Sequence, residues 1–167
     1  MPQTKHQLNC CICPQPPERK VSQEQYQRLI QHWERKNWLK NGRASSDADK
    51  IVVGGFARLW VDHIDSMLFV ANHQGGYRVR CSSCGANIVS AFARQIQVWR
   101  RGGERRMQCP SCHAEYPLEN CEFRPPAAFC NSALVLSDVG TANVTESALY
   151  DVQTFLGECL IIYKRMG

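Results

Sequence analysis

The sequence lacks any long apolar run. No stretch of its 167 residues approaches the roughly 20 consecutive apolar residues of a membrane-spanning helix. The first residues, MPQTKHQLNCC, also lack the apolar core of a secretory signal peptide. We therefore expect a cytoplasmic protein without a membrane partner, long enough for one ordinary hydrophobic core or for one core with an ordered arm.

Lysine and acidic residues are scarce in the middle of the chain. Residues 74–112 contain seven arginines, no lysine and one acidic residue, Glu104. Residues 113–167 are acidic instead, with seven Asp or Glu against three Lys or Arg, while the whole chain has a formal net charge of +5. A dedicated nucleic-acid-binding domain is more often basic throughout.

Motifs of common enzyme active sites are also missing. No phosphate-cradling glycine motif or paired-carboxylate pattern stands out, and no cysteine has the local signature of a catalytic nucleophile. His32, His63 and His73 cannot be paired with a cysteine from the sequence alone. We therefore expect a protein that is not an enzyme.

Cysteine, by contrast, is abundant, with ten residues. In a reducing compartment, paired Cys-x-x-Cys spacing indicates a metal site rather than disulfides. The stretches CSSC and CPSC supply two such pairs, Cys81 with Cys84 and Cys109 with Cys112. Two residues between cysteines allow a tight turn to direct both sulfurs to one ion, and Gly85 permits the positive φ that such a turn often needs. The four cysteines predict one structural zinc ion with a closed coordination sphere.

Each cysteine pair follows a predicted strand. This arrangement resembles the zinc-ribbon family over about 35 residues and places a ribbon at about residues 77–123. The resemblance implies a fold element and not an activity. His113 stands where the family has a small residue after the second pair, which leaves open whether His113 is a ligand. Iron on the same thiolates is an alternative without other support in the sequence.

The remaining cysteines are Cys10, Cys11, Cys13, Cys121, Cys130 and Cys159. One interpretation joins the first five around a second ion, because Cys10 and Cys13 have the same spacing as the metal-binding pairs. The other treats the three N-terminal cysteines as part of a mobile arm and the last three as small buried apolar residues. We expect the second.

The stretch after Val21 predicts an amphipathic helix. Ser22 and Gln25 have the spacing of a capping box, and Asn41-Gly42 predicts the end of the helix. The apolar face comprises Tyr26, Leu29, Ile30 and Trp33. We expect residues 1–50 to form a cysteine-rich arm with this helix, and residues 51–167 to form a single α+β domain.

The central part predicts a β-rich region. The stretch IVVGGFARLWV fits either a bent strand or a strand followed by a helix from Phe56 through Ile64. The stretch MLFVANHQGGYRVR predicts two strands around a glycine-rich turn. The alternation in QIQVWRRGGERRMQC predicts a second hairpin with its turn at Gly102-Gly103.

The C-terminal third predicts a strand, a helix and a strand. ALVLSD and ECLIIYKR are the strands, Thr145 caps the helix between them, and Gly157 ends that helix. Leu149, Val152 and Leu156 line one side of the helix. This order favours a right-handed βαβ crossover. The predicted fold class is therefore α+β: an N-terminal helix, a β-rich centre with a zinc ribbon and a C-terminal βαβ element.

The arginines around the cysteine pairs predict a binding surface. A surface without a ligand usually mixes charges of both signs, which this segment does not do. Arginine with aromatic residues and without lysine favours a protein partner, because guanidinium binds carboxylates through two hydrogen bonds and is less costly to desolvate than ammonium. The predicted partner-binding residues are Arg78, Arg80, Trp99, Arg100, Arg101, Arg105 and Arg106.

Nucleic acid is the main alternative ligand, because arginine neutralises phosphates and Trp99 and Tyr77 can stack on bases. The chain would then be a zinc-ribbon accessory factor of transcription or DNA processing. A third interpretation pairs the arginines with the acidic C-terminal third, inside the fold or in a homodimer.

Residues 81–167 carry a second resemblance. The order CxxCG, WRRGGERR, CPSC, RPPAAF, LVLSDVG, TESAL and LG is similar to that of small bacterial accessory proteins encoded beside secreted toxins, which act as immunity proteins. The resemblance implies an inhibitor that binds a cognate toxin, such as a nuclease. The sequence thus predicts a non-enzymatic, zinc-stabilised protein-binding module.

Overall fold

The computed structural model describes residues 7–166, apart from the side chains of residues 64 and 65. The chain forms two compact units, and we name residues 7–75 with 128–166 the sheet unit and residues 76–127 the knuckle unit. The elements in chain order are β1 (Leu8–Pro14), α1 (Gln23–Arg35), β2 (Leu39–Lys40), β3 (Arg43–Ala44), β4 (Leu59–Val70), β5 (Arg78–Arg80), α2 (Val89–Arg100), β6 (Arg106–Gln108), β7 (Glu115–Pro117), β8 (Glu122–Arg124), β9 (Ala128–Leu136), α3 (Glu146–Leu156) and β10 (Cys159–Arg165). This is an α+β protein, as predicted, and no helix within the described residues is long and apolar enough to cross a membrane.

A four-stranded sheet in the order β10-β1-β9-β4 organises the sheet unit. Strand β1 pairs antiparallel with both β10 and β9, so β9 and β10 run parallel to each other. The predicted strand–helix–strand element, β9-α3-β10, is therefore present in a split form, with β1 lying between its two strands. Parallel strands require such a crossover, since a tight turn cannot join them.

The cysteines at the N-terminal end of the chain form this inserted strand and not a mobile arm. Cys10, Cys11 and Cys13 are all buried in β1, whose two neighbours satisfy its backbone. A strand covered on both faces shows no alternation of polar and apolar residues, which is why the pattern LNCCICP did not indicate one. Residues 1–6 of the predicted arm lie outside the described residues.

Helix α1 begins as predicted. The Ser22 hydroxyl accepts from the Gln25 amide at 3.1 Å, and the Gln25 side chain accepts from the Ser22 amide at 3.0 Å. The helix ends at Arg35, earlier than predicted, because Asn37 adopts a left-handed φ of 60°. Asn41-Gly42 instead turns the β2–β3 hairpin, with φ of 51° and 73°. Two consecutive positive φ angles are what a two-residue hairpin turn needs.

The core of the sheet unit lies where α1 and α3 pack on the sheet. Tyr26, Leu29 and Trp33 of α1 are buried in it, and the Trp33 indole nitrogen donates to Asp151 of α3 at 3.0 Å. Thr145 caps α3 through a bond from the Ala148 amide, and Gly157 follows the last turn with a φ of 81°. The helix buries Ala148, Asp151, Val152 and Leu156, whereas Leu149, predicted on that face, is 40% exposed.

The knuckle unit is inserted between β4 and β9. Val70 and Ala128 are paired partners in the antiparallel β4–β9 ladder, so the chain leaves and rejoins the sheet at neighbouring positions. The alternative helix from Phe56 is not formed, because Leu59–Val70 is a strand.

Two short ribbons and a helix make up the knuckle unit. Strand β5 pairs with β8, and β6 pairs with β7. The predicted hairpin of β4 with β5 is absent, since β4 pairs with β9. The predicted hairpin through Gly102-Gly103 is also wrong, because its first arm is helix α2. Ile88, Phe92 and Ile96 are buried at a spacing of four, a helical signal stronger than the alternation in QIQVW.

Candidate metal centre

Four cysteine sulfurs converge in the knuckle unit. Cys81 follows β5 and Cys109 follows β6, so each pair begins where a strand ends, as the sequence predicted. The four Sγ atoms lie within 4.8 Å of one another, with 3.7 Å between Cys81 and Cys112 and 3.8 Å between Cys84 and Cys109. A tetrahedral ion with metal–sulfur bonds of about 2.3 Å requires sulfur separations of about 3.8 Å. The cluster therefore has the dimensions needed to hold one metal ion.

The two cysteine pairs have the same local geometry. In the first, the Ser83 and Cys84 amides point at Cys81 Sγ at 3.4 and 3.5 Å. In the second, the Ser111 and Cys112 amides point at Cys109 Sγ at the same two distances, 3.4 and 3.5 Å. Amide donors of this kind stabilise thiolate charge and fix the orientation of the ligands around the ion.

Gly85 and His113 occupy equivalent positions after the two pairs. The Gly85 amide donates to the Cys81 carbonyl and the His113 amide to the Cys109 carbonyl, both at 2.9 Å. Both residues are left-handed, with φ of 75° and 64°. The metal-binding group found among the described residues consists of the four cysteines, and His113 is exposed beside it. His113 thus serves the turn and is not a fifth candidate ligand.

Tyr116 of β7 supports the centre from the interior of the knuckle unit. Its hydroxyl is buried and has no hydrogen-bond partner among the described residues. Its proximity to Cys81, together with the Cys84 and Ser83 amides that point at the same sulfur, lowers the pKa of Cys81 to about 6. A thiol that deprotonates readily is a better metal ligand, because the thiolate binds the ion.

The second metal site that the sequence left open as an alternative is not assembled among the described residues. Cys10, Cys11, Cys13 and Cys130 belong to the sheet unit and Cys121 to the knuckle unit, and no further group of ligands was found among the described residues. Burial raises the pKa of Cys10 to about 12 and that of Cys121 to about 12. The Cys121 thiol contacts Met107 Sδ at 3.5 Å in the core. These cysteines act as small apolar residues.

Arg78 and Arg80 share the outward face of β5. Val79 between them is buried on the opposite face. On β8, Arg124 is the partner of Arg78 and Glu122 is the partner of Arg80. These four side chains line a notch of about 280 Å³. Sequence reasoning missed Arg124, because strand pairing between distant segments is not a local signal.

Trp99, Arg100 and Arg101 lie together at the C-terminal end of α2. Trp99 is partly buried, whereas both arginines are exposed. Positive charge at this end of a helix is favourable, because the last carbonyls carry partial negative charge. Burial raises the pKa of Tyr77, and Arg100 lies close enough to oppose that rise.

Arg105 and Arg106 are neighbours in the chain with different surroundings. The Arg105 guanidinium forms two hydrogen bonds with the Glu119 carboxylate, at 3.0 and 3.2 Å, and its side chain is only 19% exposed. Arg106 is exposed on β6. Internal pairing with an acidic residue therefore accounts for Arg105, but not for Arg106.

Most of the other arginines in the knuckle unit have no internal partner. The side chains that are exposed and form no hydrogen bond or ion pair with a described residue are Arg78, Arg80, Arg94, Arg100, Arg101 and Arg106. Arg124 is also exposed, and it pairs with Glu122 at 2.8 Å. The unit contains no lysine at all.

Comparisons of the chain with family models, with curated proteins and with solved structures found no significant match. The four-cysteine site is consistent with the zinc-ribbon resemblance, whereas none of the comparisons supports the resemblance to immunity proteins.

Proposed function

We propose that this protein is a non-enzymatic, zinc-stabilised protein-binding module. Zinc is the proposed ion because four cysteine thiolates close a tetrahedral sphere, as in structural zinc sites, and leave no position for a reacting water. The ion then serves to hold the knuckle unit together. Binding of a partner is assigned to arginines of that unit, and Arg105 is excluded because Glu119 already occupies its guanidinium.

The observation that carries the proposal is the set of exposed arginines without internal partners in a unit that contains no lysine. Exposed side chains kept only for solubility would include lysine and would mix with acidic residues. Guanidinium groups anchor protein interfaces because they bind carboxylates in a fixed planar geometry. The proposed partner surface consists of Arg78, Arg80, Trp99, Arg100, Arg101 and Arg106.

The distribution of these arginines favours a protein over a nucleic acid. Single-strand binders follow the backbone with a continuous basic groove and stack bases on aromatic rings. Here Arg78 and Arg80 lie on a ribbon, Arg100 ends a helix, and Arg106 lies on another ribbon. Tyr77, a predicted stacking residue, instead contacts the Phe123 ring, with 6.5 Å between the ring centroids.

A narrower form of the proposal concerns the identity of the partner. The order of motifs in residues 81–167 resembles that of immunity proteins of toxin systems. On that resemblance, the partner is a secreted toxin such as a nuclease, and this protein inhibits it by covering an acidic part of its surface.

Capture of partners by the metal-loaded protein tests the proposed function. The wild type and an Arg100→Ala/Arg101→Ala/Arg106→Ala variant are used to capture proteins from the native host after nuclease treatment. The matched control removes three exposed arginines of the sheet unit, Arg35, Arg43 and Arg58. We expect one protein to be retained by the wild type and the control and lost by the variant.

A parallel titration with random oligonucleotides distinguishes the alternative. Phosphate contacts make affinity fall steeply with added salt, and each lost arginine flattens that dependence by about one unit. Submicromolar, salt-sensitive binding that weakens in the arginine variant but not in the control would overturn the proposal in favour of nucleic acid.

A further inference from the structure

The notch on the β5–β8 ribbon brings three guanidinium groups to one face. Arg78 and Arg124 are direct cross-strand partners, and Arg80 faces Glu122 one position further along. Val79 and Phe123 alternate with them, and Phe123 packs against Phe92 of α2, with ring centroids 5.2 Å apart. The charged side chains therefore lie on the ribbon face that points away from the helix.

Two like charges placed opposite each other destabilise a ribbon. The structure compensates only one of them: Arg124 donates to Glu122 from Nε at 3.1 Å and from Nη2 at 2.8 Å. Arg78 and Arg80 are exposed and have no ion pair or hydrogen bond with a described residue. An external anion would remove the repulsion that the fold leaves in place.

The charge and size of the notch indicate which anion. Three guanidinium groups and one carboxylate give a net charge of +2, which matches a phosphate monoester, with about −1.5 to −2 at neutral pH. Three terminal phosphate oxygens can accept from two guanidinium forks, whereas a single carboxylate would leave one fork unused. The volume of about 280 Å³ suits such a group and is small for a larger ligand.

We propose that Arg78, Arg80 and Arg124 bind the dianion of a phosphate monoester, with Glu122 holding the Arg124 guanidinium in place. This inference rests on the proposed function, because Arg78 and Arg80 belong to the proposed partner surface, and it names the chemistry that this part of the surface recognises. On a protein partner, the group is a phosphorylated side chain.

The test uses the full metal-loaded chain, titrated with inorganic phosphate, phosphoserine, and one peptide in phosphoserine, serine and glutamate forms. Binding is followed by NMR, through the backbone amides of residues 78–80 and 122–124 and the guanidinium Nε–H signals. We expect the two phosphate monoesters, phosphoserine and the phosphoserine peptide, to shift these signals. Tighter binding of the phosphopeptide than of phosphoserine would identify a protein as the source, and equal affinity would identify a free phosphorylated metabolite.

Variants matched in charge test the assignment to these residues. Arg78→Gln and Arg80→Gln should each weaken phosphoserine binding about tenfold, the loss expected for one charge-assisted contact. Arg94→Gln removes the same charge from an exposed helical position of the same unit and should change affinity less than about twofold. Equal losses in all three would contradict the site, because they would reflect net charge alone.

The pH dependence provides a signature of the dianion. Phosphoserine loses its second phosphate proton near pH 6, so its affinity should rise between pH 5 and 7. Sulfate is already a dianion in this range, and its affinity should stay constant. Absence of shifts at the notch, equal binding of the glutamate and phosphoserine peptides, or preference for an oligonucleotide would overturn the inference.

The two proposals fail in different ways. Loss of partner capture in the Arg100/Arg101/Arg106 variant, without phosphate binding at the notch, would retain the proposed function and reject the phosphate site. Phosphate binding at the notch without any captured protein would retain the site and reject the protein partner.

Discussion

The two units of the chain differ in what holds them together. The sheet unit buries Trp33, Tyr26 and Phe129 almost completely, in cores on a four-stranded sheet. The knuckle unit has about 50 residues, ribbons of three residues per strand and one helix. A unit of that size rarely buries enough apolar surface to be stable alone. We therefore expect hydrophobic burial to stabilise the sheet unit, and we expect the knuckle unit to depend on a metal ion held by its four clustered cysteines.

Loss of the metal should have the largest effect and should separate the units. Structural zinc contributes folding free energy of order 10 kcal/mol in isolated small sites. We expect one zinc per chain, and we expect Cys84→Ser or a strong chelator to unfold residues 76–127 while β1 and β9 remain protected. Metal analysis and hydrogen exchange followed by mass spectrometry measure both quantities.

Cys121→Ala is the matched control, because it removes a thiol of the same unit that is not in the cluster. It should retain one equivalent of zinc. A folded knuckle unit without metal would contradict the expectation that the metal ion stabilises this unit. Two equivalents of zinc would restore Cys10 and Cys13 as candidate ligands.

Truncation of Trp33 should destabilise the sheet unit and leave the zinc content unchanged, which is the opposite of what loss of the metal should do. Trp33→Ala removes a fully buried indole, which costs about 3 to 5 kcal/mol, and leaves Asp151 without that donor. Urea unfolding of the sheet unit should shift accordingly, while zinc content stays the same. Trp33→Phe keeps most of the apolar volume and should cost clearly less. An unchanged unfolding midpoint in Trp33→Ala would mean that α1 does not stabilise the sheet unit.

Arg105 and Arg106 allow a paired and an unpaired arginine of the knuckle unit to be compared in their effect on stability. Arg105→Ala leaves the partly buried Glu119 carboxylate without its two hydrogen bonds, and we expect a cost of about 1 to 2 kcal/mol. Arg106→Ala removes an exposed side chain and should change stability by less than about 0.5 kcal/mol. Thermal unfolding of the metal-loaded protein measures both. Equal effects would show that the Arg105–Glu119 pair contributes nothing specific.

Local signals in the sequence predicted the features that depend on neighbouring residues. Ser22 and Gln25 predicted a helix start, Thr145 predicted another, and the two Cys-x-x-Cys pairs predicted the candidate metal site. Each of these motifs satisfies its own backbone groups or ligands within a few residues. Such features could therefore be derived without knowledge of the fold.

Features that depend on distant pairing could not be derived in this way. Strand β1 is recognisable only through its pairing with β9 and β10, and the notch only through the register of Arg78 with Arg124. Asn41-Gly42 suits both the end of a helix and a hairpin turn, since both use positive φ. Only the surrounding structure decides between these uses.

The smallest expected effect concerns the position after each Cys-x-x-Cys pair, where the first turn has Gly85 and the second has His113. Gly85 and His113 hold the same left-handed conformation, with φ of 75° and 64°, but only His113 has a Cβ. A non-glycine residue in this region costs about 1 to 2 kcal/mol, partly offset because glycine is more flexible in the unfolded chain. His113→Gly should therefore stabilise the metal-loaded knuckle unit by up to about 1 kcal/mol.

Gly85→Ala should destabilise the metal-loaded knuckle unit by about the same amount. Backbone strain alone would cause this loss, because an added Cβ would meet no atom within 4 Å. Thermal unfolding with one equivalent of zinc compares the two variants. Destabilisation or loss of zinc in His113→Gly would contradict the equivalence of the knuckles and would give the imidazole a role in the metal centre.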